Sequence, residues 1–220
     1  MGSHKTVLFT VMVSVGALAL AAGGRAFAAD EPGSPAPYVL KTCPVTGHDL
    51  HLMGEPVSKV YDGREIKFCC PMCPAKFEAN KAKYMAEIDA AIIKQQLPSY
   101  PLETCPVSGQ ALSKMAHPVN YVYGDRLVRF CCPGCEKKFE KDQATYLKKL
   151  DDAIVAAQKV TYASDQCPVS GERLGDHGPA VNYVVGNKLI KLCCKSCEKT
   201  VRKNAAEYLD KVSGESSSGK

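Results

Sequence analysis

Twelve cysteines stand in this 220-residue chain, and all of them fall in four columns that recur every 62 residues. The first column is Cys43, Cys105 and Cys167, each opening the stretch Cys-Pro-Val-[Thr/Ser]-Gly. The doublets Cys69-Cys70, Cys131-Cys132 and Cys193-Cys194 follow, and Cys73, Cys135 and Cys197 complete the set. Cys70-x2-Cys73 has the spacing of a metal knuckle, and Cys69-x3-Cys73 sets two sulfurs about one helical turn apart. Cys43 arrives from a distant turn, where the fixed φ of Pro44 and the permissive Gly47 favour a tight loop.

Four sulfurs per copy admit three chemistries. A metal ion held by thiolates is one. Disulfides are the second, because an even number of cysteines can pair, although one of the three pairings joins adjacent residues and is strained. Catalytic redox is the third, since Cys70-Pro-Met-Cys73 and Cys132-Pro-Gly-Cys135 match C-x-x-C. A thioredoxin-like fold needs further βαβ strands, and a 62-residue unit has no room for them; Cys194-Lys-Ser-Cys197 also lacks the proline. Metal and disulfide stay open on this chemistry.

The elements that must position these sulfurs are legible three times over. Val57–Tyr61, the turn Asp62-Gly63 and Glu65–Phe68 spell a β-hairpin, with Gly124-Asp125 and Gly186-Asn187 at the equivalent turns. After each doublet the apolar period becomes helical. Phe77, Tyr84, Ile88 and Ala91 share a face in the first copy, as do Phe139, Tyr146 and Leu150 in the second. Asn80, Asp142 and Asn204 are placed to cap a second helical segment. The predicted fold class is α+β: three small tandem modules, each a Cys knuckle, a β-hairpin and one kinked or two short helices.

The predicted boundaries are a signal peptide over 1–28, a flexible lead-in over 29–40 and module 1 over 41–95. A linker over 96–103 with Pro98 and Pro101 leads to module 2 over 104–157. A polar linker over 158–165 leads to module 3 over 166–212, and 213–220 is a Ser/Gly-rich disordered tail. Equal modules can stack, and Pro-bearing linkers suit beads on a string at least as well. A unit this size buries a modest core and needs a further stabilising device, which its own sulfurs supply.

Phe68-Cys69-x3-Cys73-x3-Phe77-x6-Tyr84 and Phe130-Cys131-x3-Cys135-x3-Phe139-x6-Tyr146 resemble the C-terminal half of YHS and TRASH domains, small treble-clef-like metal-binding modules. The third copy keeps Cys193, Cys197 and Tyr208 but has Leu192 and Val201 in place of the phenylalanines. The resemblance implies ligands at one early cysteine and the C-x3-C pair: Cys43, Cys69 and Cys73; Cys105, Cys131 and Cys135; Cys167, Cys193 and Cys197. It implies a soft or borderline metal, zinc or copper, up to one per module, in sequestration, trafficking or sensing. The family signature has Asp-Pro-Val-Cys-Gly where this chain has Cys-Pro-Val-[Thr/Ser]-Gly. The doublet's second cysteine (Cys70, Cys132, Cys194) is extra; it completes a four-sulfur site or forms a disulfide.

Other soft donors carry less. Met53, Met115 and His177 share one column and would suit a cuprous ion, but a tolerant loop position explains them more simply. His48, His51 and His117 have no counterparts and read as surface residues, and Met72 is Gly134 and Ser196 elsewhere. Lys67, Arg129 and Lys191 read as a solvated strand face. Phe77, Phe139, Tyr84, Tyr146 and Tyr208 read as core.

Lys5, the uncharged run Thr6–Leu20 and Ala26-Phe27-Ala28 form a secretory signal with cleavage after Ala28, so the expected location is periplasmic or secreted. No cysteine follows that site directly, which argues against a lipoprotein, and the signal reading outranks a myristoylation pattern at Gly2. Losing Lys5 and Arg25 lowers the net charge from +5 to +3, too mild for nucleic acid or a membrane surface. No span is expected in the mature chain. Motifs for hydrolysis and phosphate binding are absent, so the chain reads as a binding protein rather than an enzyme. Its expected partners are metal ions and a metal-handling or surface protein. The competing class is a disulfide-stapled extracytoplasmic interaction or structural protein.

Overall fold

The structure, a computed structural model, describes residues 34–214. The expected signal peptide, the start of the lead-in and residues 215–220 of the expected tail lie outside the described residues. Within them the fold is mixed α and β, and one unit is built three times. Module 1 has strands β1 (Val57–Tyr61) and β2 (Arg64–Phe68) and helices α1 (Cys73–Ala79) and α2 (Lys81–Gln96). Module 2 repeats this with β3 (Val119–Tyr123), β4 (Arg126–Phe130), α3 (Pro133–Phe139) and α4 (Gln143–Lys159). Module 3 has β5 (Val181–Val185), β6 (Lys188–Leu192), α5 (Ser196–Lys203) and α6 (Ala205–Ser213). Each pair of strands is an isolated antiparallel hairpin in the same register, Val57↔Phe68, Val119↔Phe130 and Val181↔Leu192. No described helix is long and apolar enough to cross a membrane.

The hairpin turns use the residues that tolerate left-handed backbone. Asp62 and Gly63 both have positive φ, as do Gly186 and Asn187, the requirement of a type I′ turn. In module 2 only Gly124 does. A Cβ on Gly124 would also lie 2.7 Å from the Cβ of Ala36, so that turn has no room for a side chain. Each helical region breaks into two helices. Asp142 caps α4 by accepting the amide of Thr145 at 3.4 Å. Asn80 and Asn204 occupy the same position without a side-chain cap, contrary to the capping expected of them. The break places Phe77 on α1, apart from the α2 face carrying Ile88 and Ile92.

The expected linkers are docking segments instead. Helix α2 runs to Gln96 and α4 to Lys159, each packing on the hairpin of the next module. Gln96 ends the buried stripe Ile88, Ile92, Gln96, spaced by four residues on one face. Its side-chain amide clamps the edge of β4, donating from Nε2 to the Asp125 carbonyl (2.7 Å) and accepting the Leu127 amide at Oε1 (2.7 Å). Gln158 does the same one module later, donating to the Asn187 carbonyl (3.0 Å) and accepting the Leu189 amide (2.8 Å). Among the described residues no helix precedes module 1, and Ser34 stands where the glutamine would be. There the backbone of Ala36 makes the equivalent pair, to the Gly63 carbonyl and from the Glu65 amide, both at 2.8 Å.

The tyrosines Tyr38, Tyr100 and Tyr162 also lie 62 residues apart, inside the supposed lead-in and linkers. Tyr100 accepts the Arg129 amide and Tyr162 the Lys191 amide, each at 3.1 Å. The Arg129 guanidinium and Lys191 ammonium lie over those rings. The basic column is therefore half-buried against the joints, not a free solvated face. Tyr38 and Val39 are buried too, so the end of the expected lead-in is packed structure.

The modules enclose one another rather than forming separate beads. Arg126 donates from Nε to Asn187 (3.0 Å), Asn187 donates to the Leu127 carbonyl (2.8 Å), and the Gly186 amide reaches Asp125 (2.6 Å). Gln96, Asp125, Arg126 and Asn187 are the buried polar residues among those described, and they meet in this one knot. Module 3 closes on module 1 through Lys67 to the Lys203 carbonyl, Lys41–Asp210 and Arg202 to the Pro35 carbonyl. Tyr38 and Val39 share a continuous buried cluster with Tyr183, Val185 and Leu209.

Replacing Gln96 with methionine preserves the shape of the side chain but strands a buried carbonyl and a buried amide. The expected loss is about 2–4 kcal/mol, since each orphaned group costs roughly 1–3 kcal/mol. Urea unfolding should show it, with the exposed neighbour Gln95→Met unchanged as the control.

Candidate metal centre

Each first cysteine sits in a knuckle closed by two backbone hydrogen bonds. In module 1 the Cys43 amide donates to His48 and the Gly47 amide to the Cys43 carbonyl, both at 2.8 Å. The same pair recurs at Cys105 with Gln110 and Gly109, and at Cys167 with Glu172 and Gly171. The turn requires positive φ at Gly47 (71°), Gly109 (74°) and Gly171 (75°), which explains the glycine in every copy. The knuckle leans on the end of β2, β4 or β6. There the chain leaves the strand, presents the doublet and turns into α1, α3 or α5. Phe68, Phe130 and Leu192 anchor the strand end, and Phe77, Phe139 and Val201 anchor the helix; all are fully buried. Tyr84 and Tyr146 are half-buried against Phe77 and Phe139, and Tyr208 is buried.

This construction brings three buried thiols together in every module: Cys43, Cys69 and Cys73; Cys105, Cys131 and Cys135; Cys167, Cys193 and Cys197. Within each trio the sulfurs all lie within 4.8 Å of one another, and each trio is placed to hold a metal ion. The Cys69–Cys73 separation is 3.9 Å, Cys131–Cys135 3.5 Å, Cys193–Cys197 3.7 Å and Cys167–Cys197 3.9 Å. Thiolates around a tetrahedral ion with metal–sulfur bonds of about 2.3 Å lie about 3.8 Å apart, so the donor set fits. All twelve cysteines are unbonded.

The doublet's second cysteine stands apart from the trio. Cys132 is exposed and Cys70 and Cys194 are half-exposed, while the other nine are buried. The outer sulfurs nevertheless touch the cluster: Cys70 is 3.3 Å from Cys73, Cys132 is 3.8 Å from Cys135, and Cys194 is 3.7 Å from Cys197. Each site is thus a buried trio with a fourth thiol at its mouth.

The electrostatics differ across the four positions. Burial opposes ionisation of Cys43, but the Cys69 amide, the Thr46 side chain and the Val45 and Thr46 amides together bring it down to about 7. Cys105 falls to about 7 and Cys167 to about 6 against the same burial cost, through the equivalent knuckle donors. Cys73 and Cys197 move strongly the other way, and Cys135 up to about 12, through burial and then through their thiol neighbours. One thiolate per trio is favoured first, and its charge disfavours the next until a cation balances it. At the mouth Cys70 is lowered by its contact with Cys73, and Cys132 by the Cys135 amide. The Ser196 hydroxyl, 2.9 Å away, takes Cys194 to about 7.

The hydroxyl in Cys-Pro-Val-[Thr/Ser]-Gly is a site residue that the sequence reading noted only as part of the motif. Thr46, Ser108 and Ser170 lie 3.4, 3.2 and 3.4 Å from the sulfurs of Cys69, Cys131 and Cys193. Its recurrence as a hydroxyl in all three copies was the available signal. Among the described residues no histidine or carboxylate joins the trios. Met53 is 70 % exposed, Met115 packs against the module 2 core, and His177 faces Glu172 at 3.6 Å, so that column has no common role.

Comparisons with models of protein families, with curated proteins and with solved structures return no match.

In the reduced, metal-free protein a bulky maleimide should label Cys70, Cys132 and Cys194 quickly and the nine buried thiols far more slowly. Peptide mapping after brief labelling checks this. Equal labelling of all twelve would refute the inside–outside division.

Proposed function

We propose that this chain is an exported metal-binding protein that carries a soft or borderline ion, copper or zinc, in a thiolate site in each module. The observation that carries the reading is the buried trio, built identically three times from residues 30 positions apart in the chain. The three sulfurs of each trio all lie within 4.8 Å of one another, close enough to share one ion. Taking three thiols out of water together is costly once they ionise, unless a cation compensates the charge. Sulfur donors of this softness suit Cu(I) and zinc rather than magnesium or calcium.

The YHS/TRASH-like pattern of Phe-Cys-x3-Cys with its following aromatic residues supports the same reading, and residues 1–28 support export. With sulfur ligands and no general base beside them, the site suits holding and handing over an ion rather than hydrolysis. Sequestration, trafficking or sensing of the metal is the role proposed.

Native mass spectrometry of the protein loaded with Zn(II), or anaerobically with Cu(I), should find up to one ion per module. Cys69→Ser should lower the count by one and leave the other two sites filled, as should Cys131→Ser in module 2. A protein that takes up neither ion, or that loses pairs of hydrogens to disulfides in place of binding, overturns the proposal.

A further inference from the structure

We propose that Cys70, Cys132 and Cys194 are exchange ligands, the thiols through which a bound ion passes between each buried trio and a thiol-bearing acceptor. The inference rests on the metal-binding reading above. It goes further by dividing the four cysteines into holding and transferring groups and by naming the chemistry of the partner.

Three observations carry it. First, the inside–outside division is the same in all three modules: three buried sulfurs and one that meets solvent. Second, the outer sulfur lies 3.3–3.8 Å from that of Cys73, Cys135 or Cys197, about the separation of two sulfurs that share one ion. Third, the strand end and the helix wall the trio with Phe68 and Phe77, Phe130 and Phe139, or Leu192 and Val201, all fully buried, whereas the outer thiol meets solvent. Among the four sulfurs of a module, an acceptor arriving from solvent meets Cys70, Cys132 or Cys194 first.

The step is a ligand exchange with no change of oxidation state. A thiol of the acceptor binds the ion as the outer cysteine leaves it. In each exchange one metal–sulfur bond forms and one breaks, and the proton of the incoming thiol passes to the departing cysteine; the same exchange repeated at the three buried thiolates frees the ion onto the acceptor. The buried trio keeps the ion until the acceptor has made a bond. The partner is thereby a molecule that presents thiols, and a ligand offering only carboxylates and amines lacks the matching softness.

The test uses the full chain with Cys70, Cys132 and Cys194 all replaced by serine, loaded with Zn(II) and, in a separate anaerobic arm, with Cu(I). Ion count and the rate of transfer to a small water-soluble dithiol are followed by native mass spectrometry. The expected result is an unchanged ion count with transfer slowed by at least an order of magnitude. In the single variant Cys132→Ser, one ion of three should leave slowly and two at the original rate. An unchanged count with unchanged transfer overturns the inference. A lowered count also overturns it, because the outer thiols would then be holding ligands, while the metal-binding reading survives. Failure of the unmodified chain to bind either ion removes both.

Discussion

The architecture depends on an amide placed against the edge of each β-hairpin. A two-stranded hairpin leaves the outer edge of its second strand unpaired, and a buried carbonyl or amide there must find a partner. In modules 2 and 3 the partner is the side chain of Gln96 or Gln158, brought in by the helix of the preceding module. In module 1 the backbone amide and carbonyl of Ala36 take that place. One contact thus solves a local hydrogen-bonding problem and sets the position of successive modules. It also explains why the strand residue beside it changes character. Leu127 and Leu189 are buried under the arriving helix, whereas Glu65, beside the Ala36 backbone, is half-buried.

The sulfur trios inherit their geometry from that frame. A hairpin held at its turn presents its far end in a defined place, where the second strand stops and the doublet begins. The knuckle of the first cysteine comes from a remote part of the chain and has to meet that end. Its own backbone hydrogen bonds and positive-φ glycine keep it compact, and the hydroxyl of Thr46, Ser108 or Ser170 ties it to the doublet. The third copy shows how much the packing tolerates. Leu192 and Val201 replace two phenylalanines and remain fully buried, and the sulfurs still converge.

Much of this was legible in the chain. The hairpins follow from alternation around Asp62-Gly63 and its equivalents, and the nine trio cysteines are those that the expected resemblance to YHS and TRASH domains picked out as ligands. The joints were not. Residues 96–103, with Pro98 and Pro101, and the polar stretch 158–165 read locally as linker because their partners lie in the next module. A glutamine on a helix face is ordinarily solvated; Gln96 is buried because a neighbouring strand edge needs its two ends. The Tyr38, Tyr100 and Tyr162 column was present at the same 62-residue interval as the cysteines. It marks the repeat as beginning some residues earlier than the hydrophobic pattern alone suggests. The basic column at Lys67, Arg129 and Lys191 looked solvated for the same reason: strand alternation reports which face is outward, not whether another module covers it.

By itself the sequence determined the repeat, the class of each element and which atoms can bind a soft cation, because these follow from residue type, spacing and short-range backbone preference. Tertiary structure decided that the modules close upon one another and that three sulfurs in each are buried while the fourth meets solvent. Adjacent cysteines such as Cys131 and Cys132 are chemically identical in the chain. They part only when a strand ends between a covering knuckle and an open helix start, sending one sulfur inward and the other to water.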